Sequence, residues 1–536
     1  MSDRRDFLKT SLLGAAAVAA STNLSLEAEA QAHPVPAFHL EEVTLAELRA
    51  GLDSGKYTSK QLVELYSERI AAIDKRGPHI NAVIEMNPDA MAIAEKADAV
   101  RKSGKRGLLH GIPVLIKDNI ATADKMATSA GSLALADSHA PKDSFVAAQL
   151  RAAGAIILGK TNLSEWANFR STHSTSGWSG RGGLTHCPYA LDRNPSGSSS
   201  GSAVAVSANE CAVAVGTETD GSIVSPSCSN GVVGIKPTVG LVGRTGIVPI
   251  SHTQDTAGPM GRTVADAAAL LTVLAGIDPH DEAAKGAQGK IVDYMRSLNP
   301  NGLKGARLGV VRKYAGFSIP VDKLFADALD AMKKSGAEII DPVEIPGIDK
   351  FGESELLVLQ FEFKNDLNAY FNWLGPNTPV RSLADVIDFD NKHAAQEMPY
   401  FGQEQLIACQ EKGGLNDPEY LKALDTCRKL SRTEGIDAVM DKHKLDALIS
   451  PTGTPAWMTD LVNGDANVPS AASLAAVAGY PHVTLPMGYV FGLPVGISFF
   501  GCAWSETKLI QYAYAYEQLT KFRKPPQFLA TAKTRI

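Results

Sequence analysis

Cysteine is scarce: six in 536 residues, at positions 187, 211, 228, 409, 427 and 502, with no Cys-x-x-Cys pair among them. That density excludes a disulfide-stapled scaffold and a clustered thiol metal site, so buried free thiols are expected. An excess of one charge is also missing. The 52 Lys and Arg nearly balance 58 Asp and Glu, for a net charge of −6, and no basic run stands out, so no nucleic-acid partner is expected. After the first thirty or so residues no apolar run reaches the ~20 residues needed to span a bilayer. No His-Glu-x-x-His pattern occurs, and neither a metal nor an organic cofactor is expected. No Gly-x-Ser-x-Gly elbow surrounds Ser222, which removes that sign of a Ser-His-Asp hydrolase there. What remains is an ordinary globular composition, 44% hydrophobic and 21% charged.

The first residues differ from the rest. Arg4-Arg5-Asp6-Phe7-Leu8-Lys9 precedes an apolar stretch from Leu12 to Ala20, and small residues follow, with Ala-x-Ala sites at Ala28–Ala30 and Ala30–Ala32. The layout over residues 1–32 predicts a cleavable, twin-arginine-type export signal and a periplasmic destination.

Beyond it, helix and strand signals alternate. Thr44 with Glu47 and Thr58 with Gln61 read as capping boxes. Leu62, Leu65, Tyr66, Arg69, Ile70 and Ile73 then share one helical face. Ala82–Met86, Ile112–Ile116 and Ala155–Leu158 read as strands, and Ala90–Arg101 and Phe145–Ala153 as helices. Apolar strands return at Leu445–Ser450, His482–Pro486 and Val495–Phe500. The alternation predicts an α/β layered fold. The more polar stretch at about 278–440 predicts a mostly helical covering region.

The richest segment runs from Ser196 to Thr238. Small hydroxyl and glycine residues surround two apolar blocks, Ser202–Asn209 and Cys211–Val215. A helix of eight residues rises about 12 Å and a strand of five about 16 Å, so a helix leading away and a strand returning bring the loops at Ser198 and Ser222 together. Ser222, directly after the strand, is a candidate nucleophile if a base takes its proton. The base is open at this point. His110, His252 and His482 lie near loops of interest. Lys117 ends the apolar run Gly-Ile-Pro-Val-Leu-Ile, where burial lowers a lysine pKa, and Lys160 in Gly-Lys-Thr-Asn has the same setting.

Several ordered motifs settle the matter by resemblance. Gly111-Ile-Pro-Val-Leu-Ile-Lys117-Asp-Asn, Gly159-Lys-Thr-Asn162, the Gly/Ser loop at 196–202, Gly216 to Pro226, Gly231-Val-Val-Gly-Ile-Lys-Pro237, Asp255-Thr-Ala-Gly-Pro259 and Gly492-Leu-Pro-Val-Gly496 resemble the amidase-signature hydrolases. Ser164 to Arg170, Gly177-Trp178, Arg181-Gly-Gly183 and Cys502 to Glu506 resemble the bacterial peptide amidases within that family. The resemblance implies a Ser–cis-Ser–Lys triad: Ser222 as nucleophile, Ser198 as bridge after a cis peptide, and Lys117 as base, leaving Lys160 a structural part. It also implies one catalytic domain over 33–536, with a mixed central sheet covered by helices on both faces, and an oxyanion hole of the Thr219, Asp220, Gly221 and Ser222 amides. Ser129, Trp166, Phe169 and Trp178 are candidate substrate-binding residues. The chain departs from the commonest family pattern at Ser196, Glu218, Asp220 and Val224. The implied activity is hydrolysis of carboxamides to carboxylate and ammonia through an acyl-enzyme, on small-molecule or peptide amides, C-terminal peptide amides first. A general aliphatic or aryl amidase, an inactive exported binding protein and one subunit of an amidotransferase are the alternatives.

Overall fold

The computed structural model describes residues 32–533 except 103, 105 and 377; the expected export signal thus lies, but for Ala32, outside the described residues. Thirteen strands occur among them: β1 (Val83–Met86), β2 (Pro113–Lys117), β3 (Ile156–Thr161), β4 (Trp178–Ser179), β5 (Gly183–Leu184), β6 (Val213–Glu218), β7 (Val233–Lys236), β8 (Thr256–Gly261), β9 (Arg307–Val310), β10 (Glu338–Ile340), β11 (Ala447–Pro451), β12 (His482–Val490) and β13 (Leu493–Phe500). Eleven of them form one sheet in the order β1-β3-β2-β6-β8-β7-β12-β13-β11-β9-β10, while β4 and β5 pair separately. The sheet is mixed. β3, β2 and β6 run parallel. From β6 through β8, β7, β12, β13 and β11 every neighbour is antiparallel. β11, β9 and β10 are parallel again. This is the expected single α/β unit.

Both capping boxes form. Thr44 caps the helix Leu45–Ser54 with Glu47, and Thr58 caps Ser59–Ile73 with Gln61. The second helix buries Leu62, Tyr66, Arg69, Ile70 and Ile73, as its periodicity requires. The block expected at Ser202–Asn209 is a helix over Ser200–Ser207, and every one of its residues is buried. Its lack of a polar face follows from its position against the strands. Gly201 permits the approach: a Cβ there would stand 2.2 Å from the Ala82 carbonyl oxygen. The chain then returns as β6, whose six residues are all buried. The stretch 278–440 is largely helical, with long helices at Ile319–Lys334 and Gly352–Leu374, yet it also supplies β9 and the edge strand β10. All six cysteines are free, five of them buried. Among the described residues no helix is long and apolar enough to cross a membrane.

Candidate active site

The helix and β6 carry their loops back to a common point. Ser199 donates its backbone N–H to the Ser222 carbonyl at 3.2 Å, and its hydroxyl donates to the Thr217 carbonyl at 2.9 Å. The Gly197–Ser198 peptide is cis. β2, next to β6 in the sheet, ends on Lys117, which is completely buried. Its Nζ donates to Ser198 Oγ at 2.7 Å, Ser199 Oγ at 3.1 Å and Thr217 Oγ1 at 2.9 Å. Burial pushes the Lys117 ammonium down to about 7, against the pull of Asp255 and Glu218. Near neutral pH a large share of this lysine is an uncharged amine able to accept a proton.

Ser222 sits in the turn between β6 and the short helix Val224–Ser229. Gly221 takes φ +80 there, a conformation side chains resist. Glu218 closes the turn from below: its Oε2 accepts from the Ile223 and Val224 amides at 2.7 and 3.0 Å. Thr219 is tied outward by its hydroxyl, which donates to Asp255 Oδ1 at 2.6 Å. Asp255 is itself held by the Ile250 and Ser251 amides at 2.8 and 2.9 Å, while burial lifts its carboxyl to about 6.

The competing bases lie elsewhere. Lys160 is buried and pushed by burial to about 8, but it donates to the Ile120 carbonyl at 2.6 Å and to Thr128 at 2.9 Å, bracing the loops around them. His110 faces the Ala97 carbonyl at 2.9 Å. His482 faces Ser498 at 2.6 Å, and burial pushes it down to about 3. His252 lies between carboxylates, Nδ1 at 2.9 Å from Asp366 and Nε2 at 3.5 Å from Glu362. These three residues form the one group of His, Cys, Asp and Glu side chains within metal-binding reach among the described residues. Both imidazole nitrogens already face acids, the arrangement of a protonated histidine held between two carboxylates.

The four candidate substrate residues are used by the protein's own packing. Ser129 is fully buried and donates its hydroxyl to Asp118, beside Arg181. Trp166 is buried in a satellite core with Phe363 and Phe371. Phe169 packs on Phe363 at 5.4 Å. Trp178 stands edge-on to Tyr400 and Phe401, with the Arg170 guanidinium over its ring at 5.2 Å. None of the four lines the large cavity of about 980 Å³ that reaches the site from the Thr217 side. Its wall includes Asn119, Thr217, Thr219 and Asp255 next to the serines and lysine, then Ile247, Val248, Tyr370 and Trp373 further out. Asn119 Oδ1, Tyr370 Oη and Trp373 Nε1 are buried there without a hydrogen-bond partner in the protein. Asn119 carried a signal in the sequence, two residues beyond Lys117 in the same motif. Tyr370 and Trp373 carried none, because they come from a helix 250 residues away in sequence.

Comparison with known proteins shows which family the chain is similar to. A family described as Amidase matches residues 61–510. A probable amidase of Arabidopsis thaliana is 45% identical over 504 residues, 92% of this chain and 93% of that protein. The native peptide amidase from Stenotrophomonas maltophilia superposes with a TM-score of 0.87 at 50% identity, covering 91% of this chain and 99% of that one. One subunit of the glutamyl-tRNA(Gln) amidotransferase of Pseudomonas syringae is 33% identical over 91% of this chain and all of that protein.

Proposed function

The chain belongs to the amidase family, a hydrolase acting on amide C–N bonds, and from that premise we propose that it releases ammonia from C-terminally amidated peptides through Ser222, Ser198 and Lys117. The observation that carries the reading is the buried 2.7 Å contact from Lys117 Nζ to Ser198 Oγ, in a loop pinned to Ser222 through Ser199. Neutral Lys117 takes the Ser198 proton while Ser198 takes the Ser222 proton, and Ser222 Oγ attacks the amide carbon. The amides of Thr219, Asp220, Gly221 and Ser222 receive the developing oxyanion, a contribution of about 2.7–4 kcal/mol per well-placed donor. The proton returns by the same relay to the leaving nitrogen, and the C–N bond breaks. Ammonia departs, leaving an ester on Ser222. Water, deprotonated by the same relay, attacks that ester and frees the carboxylate.

Two observations support a peptide rather than a simple amide. The fold matches a peptide amidase along nearly its whole length. The adjoining cavity is roomy and mainly apolar in its walls, and it offers the unpartnered Asn119 Oδ1, Tyr370 Oη and Trp373 Nε1 for a peptide group. The proposal includes export to the periplasm through the Arg4-Arg5 segment, tested by fractionating cells that express wild type and the Arg4→Lys/Arg5→Lys variant.

The deciding experiment assays the purified protein for ammonia release from peptide amides, amino-acid amides and aliphatic amides. Peptide amides are the expected best substrates, and Ser222→Ala and Lys117→Ala each lose at least about 10³-fold in kcat. A Ser222→Ala protein as active as wild type rejects the mechanism. Turnover of small amides alone replaces the peptide assignment with a general amidase. Ammonia release that requires further protein components favours the amidotransferase role of the Pseudomonas relative.

A further inference from the structure

The helix Gly352–Leu374 lies in the stretch expected only to cover the core, yet it carries an acid to the loop ahead of Ser222. Glu355, in its first turn, is buried. Its Oε1 accepts from Gln254 Nε2 at 3.0 Å, and the same nitrogen lies 3.3 Å from the Thr219 carbonyl oxygen, to which it also donates. The Glu355 carboxyl lies beside that of Asp220, and Asp220 also faces Ser473. Ser473 lies in the first turn of the helix Ala472–Ala478, which walls the loop: a Cβ added to Gly221 would lie 3.3 Å from the Ala472 Cβ.

Two carboxyl groups hydrogen-bond each other only when one of them keeps a proton. Burial raises both, and the nearness of Asp220 raises Glu355 further. The other titratable groups facing the pair are Lys236, Glu218, Tyr314 and Cys427. Lys236 is the only cation of the four. The peptide plane supplies the link to chemistry. Because the peptide unit is planar and trans, the direction of the Thr219 carbonyl fixes the opposite direction of the Asp220 N–H.

We propose that Glu355 is a positioning residue for the oxyanion loop, sharing Gln254 with the Thr219 carbonyl and a proton with Asp220. The inference rests on reading Thr219–Ser222 as the oxyanion loop. Loss of the shared proton at alkaline pH sets two negative charges beside amides that must receive a third. The rate then falls at the upper end of the pH range. Glutamine at 355 avoids this, since its amide donates to Asp220 and its oxygen accepts from Gln254 at any pH.

The test measures kcat and KM on a peptide amide from about pH 6 to about pH 10 for wild type, Glu355→Ala, Glu355→Gln and Ser222→Ala. Glu355→Ala is expected to lower kcat about 10- to 100-fold with KM within about twofold. Glu355→Gln is expected to rescue most of that loss and to move the alkaline fall upward. A Glu355→Gln profile that superposes on wild type or falls at lower pH overturns the inference, as does an alanine variant that changes KM instead of kcat. Should the alanine variant fail to fold, the comparison of glutamine with wild type decides alone. An inactive Ser222→Ala with unaffected Glu355 variants rejects this inference only, whereas an active Ser222→Ala rejects the underlying mechanism.

Discussion

Lys117 and Lys160 show what one residue's surroundings decide. Both are buried on parallel neighbouring strands and both are pushed down by burial, to about 7 and about 8. Strand logic alone cannot separate them. The contacts do: Lys117 reaches three hydroxyls, one of them on the cis-linked Ser198, whereas Lys160 reaches a carbonyl and a threonine. A general base must be unprotonated to act, so the rate is low while Lys117 holds its proton and rises as pH climbs through its pKa. The kcat/KM profile of wild type is expected to show an acid limb centred near pH 7. Lys160→Met is expected to lower the unfolding midpoint and to leave that limb in place. A limb that moves in Lys160→Met assigns the titration to the wrong lysine. Structural or surface roles for the three histidines were legible, but not the particular contacts, because their partners, Ala97, Asp366 and Ser498, come from other segments.

Among the elements, the turn after β6 is the one on which the proposed serine chemistry depends. Glu218 and Asp220, which the motif resemblance marks as departures, each have a task in the structure. Glu218 accepts from the two amides that follow Ser222, and Asp220 pairs with Glu355. Removing the Glu218 carboxylate leaves two buried N–H groups without an acceptor, at about 1–3 kcal/mol each. Glu218→Ala is therefore expected to destabilise the protein by about 2–6 kcal/mol in urea unfolding and to lower kcat at least about tenfold, since the turn that aims Ser222 loses its support. Glu218→Gln keeps an acceptor and should retain most of the stability. Equal stability of the alanine variant and wild type contradicts this account. The helix Ser200–Ser207 and β6 were legible within two or three residues, because their alanines and valines form apolar blocks between Gly/Ser loops. The aromatic candidates were not. Trp166, Phe169 and Trp178 have the composition of a pocket, but Phe363, Tyr400 and Phe401 from the helical stretch cover them. Composition cannot say which aromatic face remains open.

On the scale of the whole molecule, the two ends of the described chain are fastened to each other beside the serine-bearing helix. Ala32 and Ala190 each form a bridge with Leu529, and Phe528 donates to the Pro188 carbonyl at 3.0 Å. Arg523 is the centre of the joint. Its guanidinium reaches Glu42 at 2.8 Å, the Ser207 carbonyl at 2.8 Å and the Gly231 carbonyl at 3.0 Å, thereby joining the first helix region, the end of the helix that follows Ser199 and the tail. Burial pulls the Glu42 carboxyl upward, but the Arg523 charge and hydrogen bonds outweigh it and hold the group below its ordinary value. A depressed carboxyl contributes stability above its unfolded pKa and loses it as pH falls through the folded value. Arg523→Ala removes the ion-pair partner of Glu42, which keeps only Asn209 as a side-chain donor, and takes the donor from the two carbonyls; the pair is part-buried, so the cost is about 1–3 kcal/mol, below that of a fully buried pair. The expected outcome is a lower urea midpoint at pH 7, a gap from wild type that narrows below about pH 4 as Glu42 takes up its proton, and an unchanged kcat per folded molecule. A gap that stays constant across that pH range would assign the loss to the carbonyl contacts instead of the ion pair.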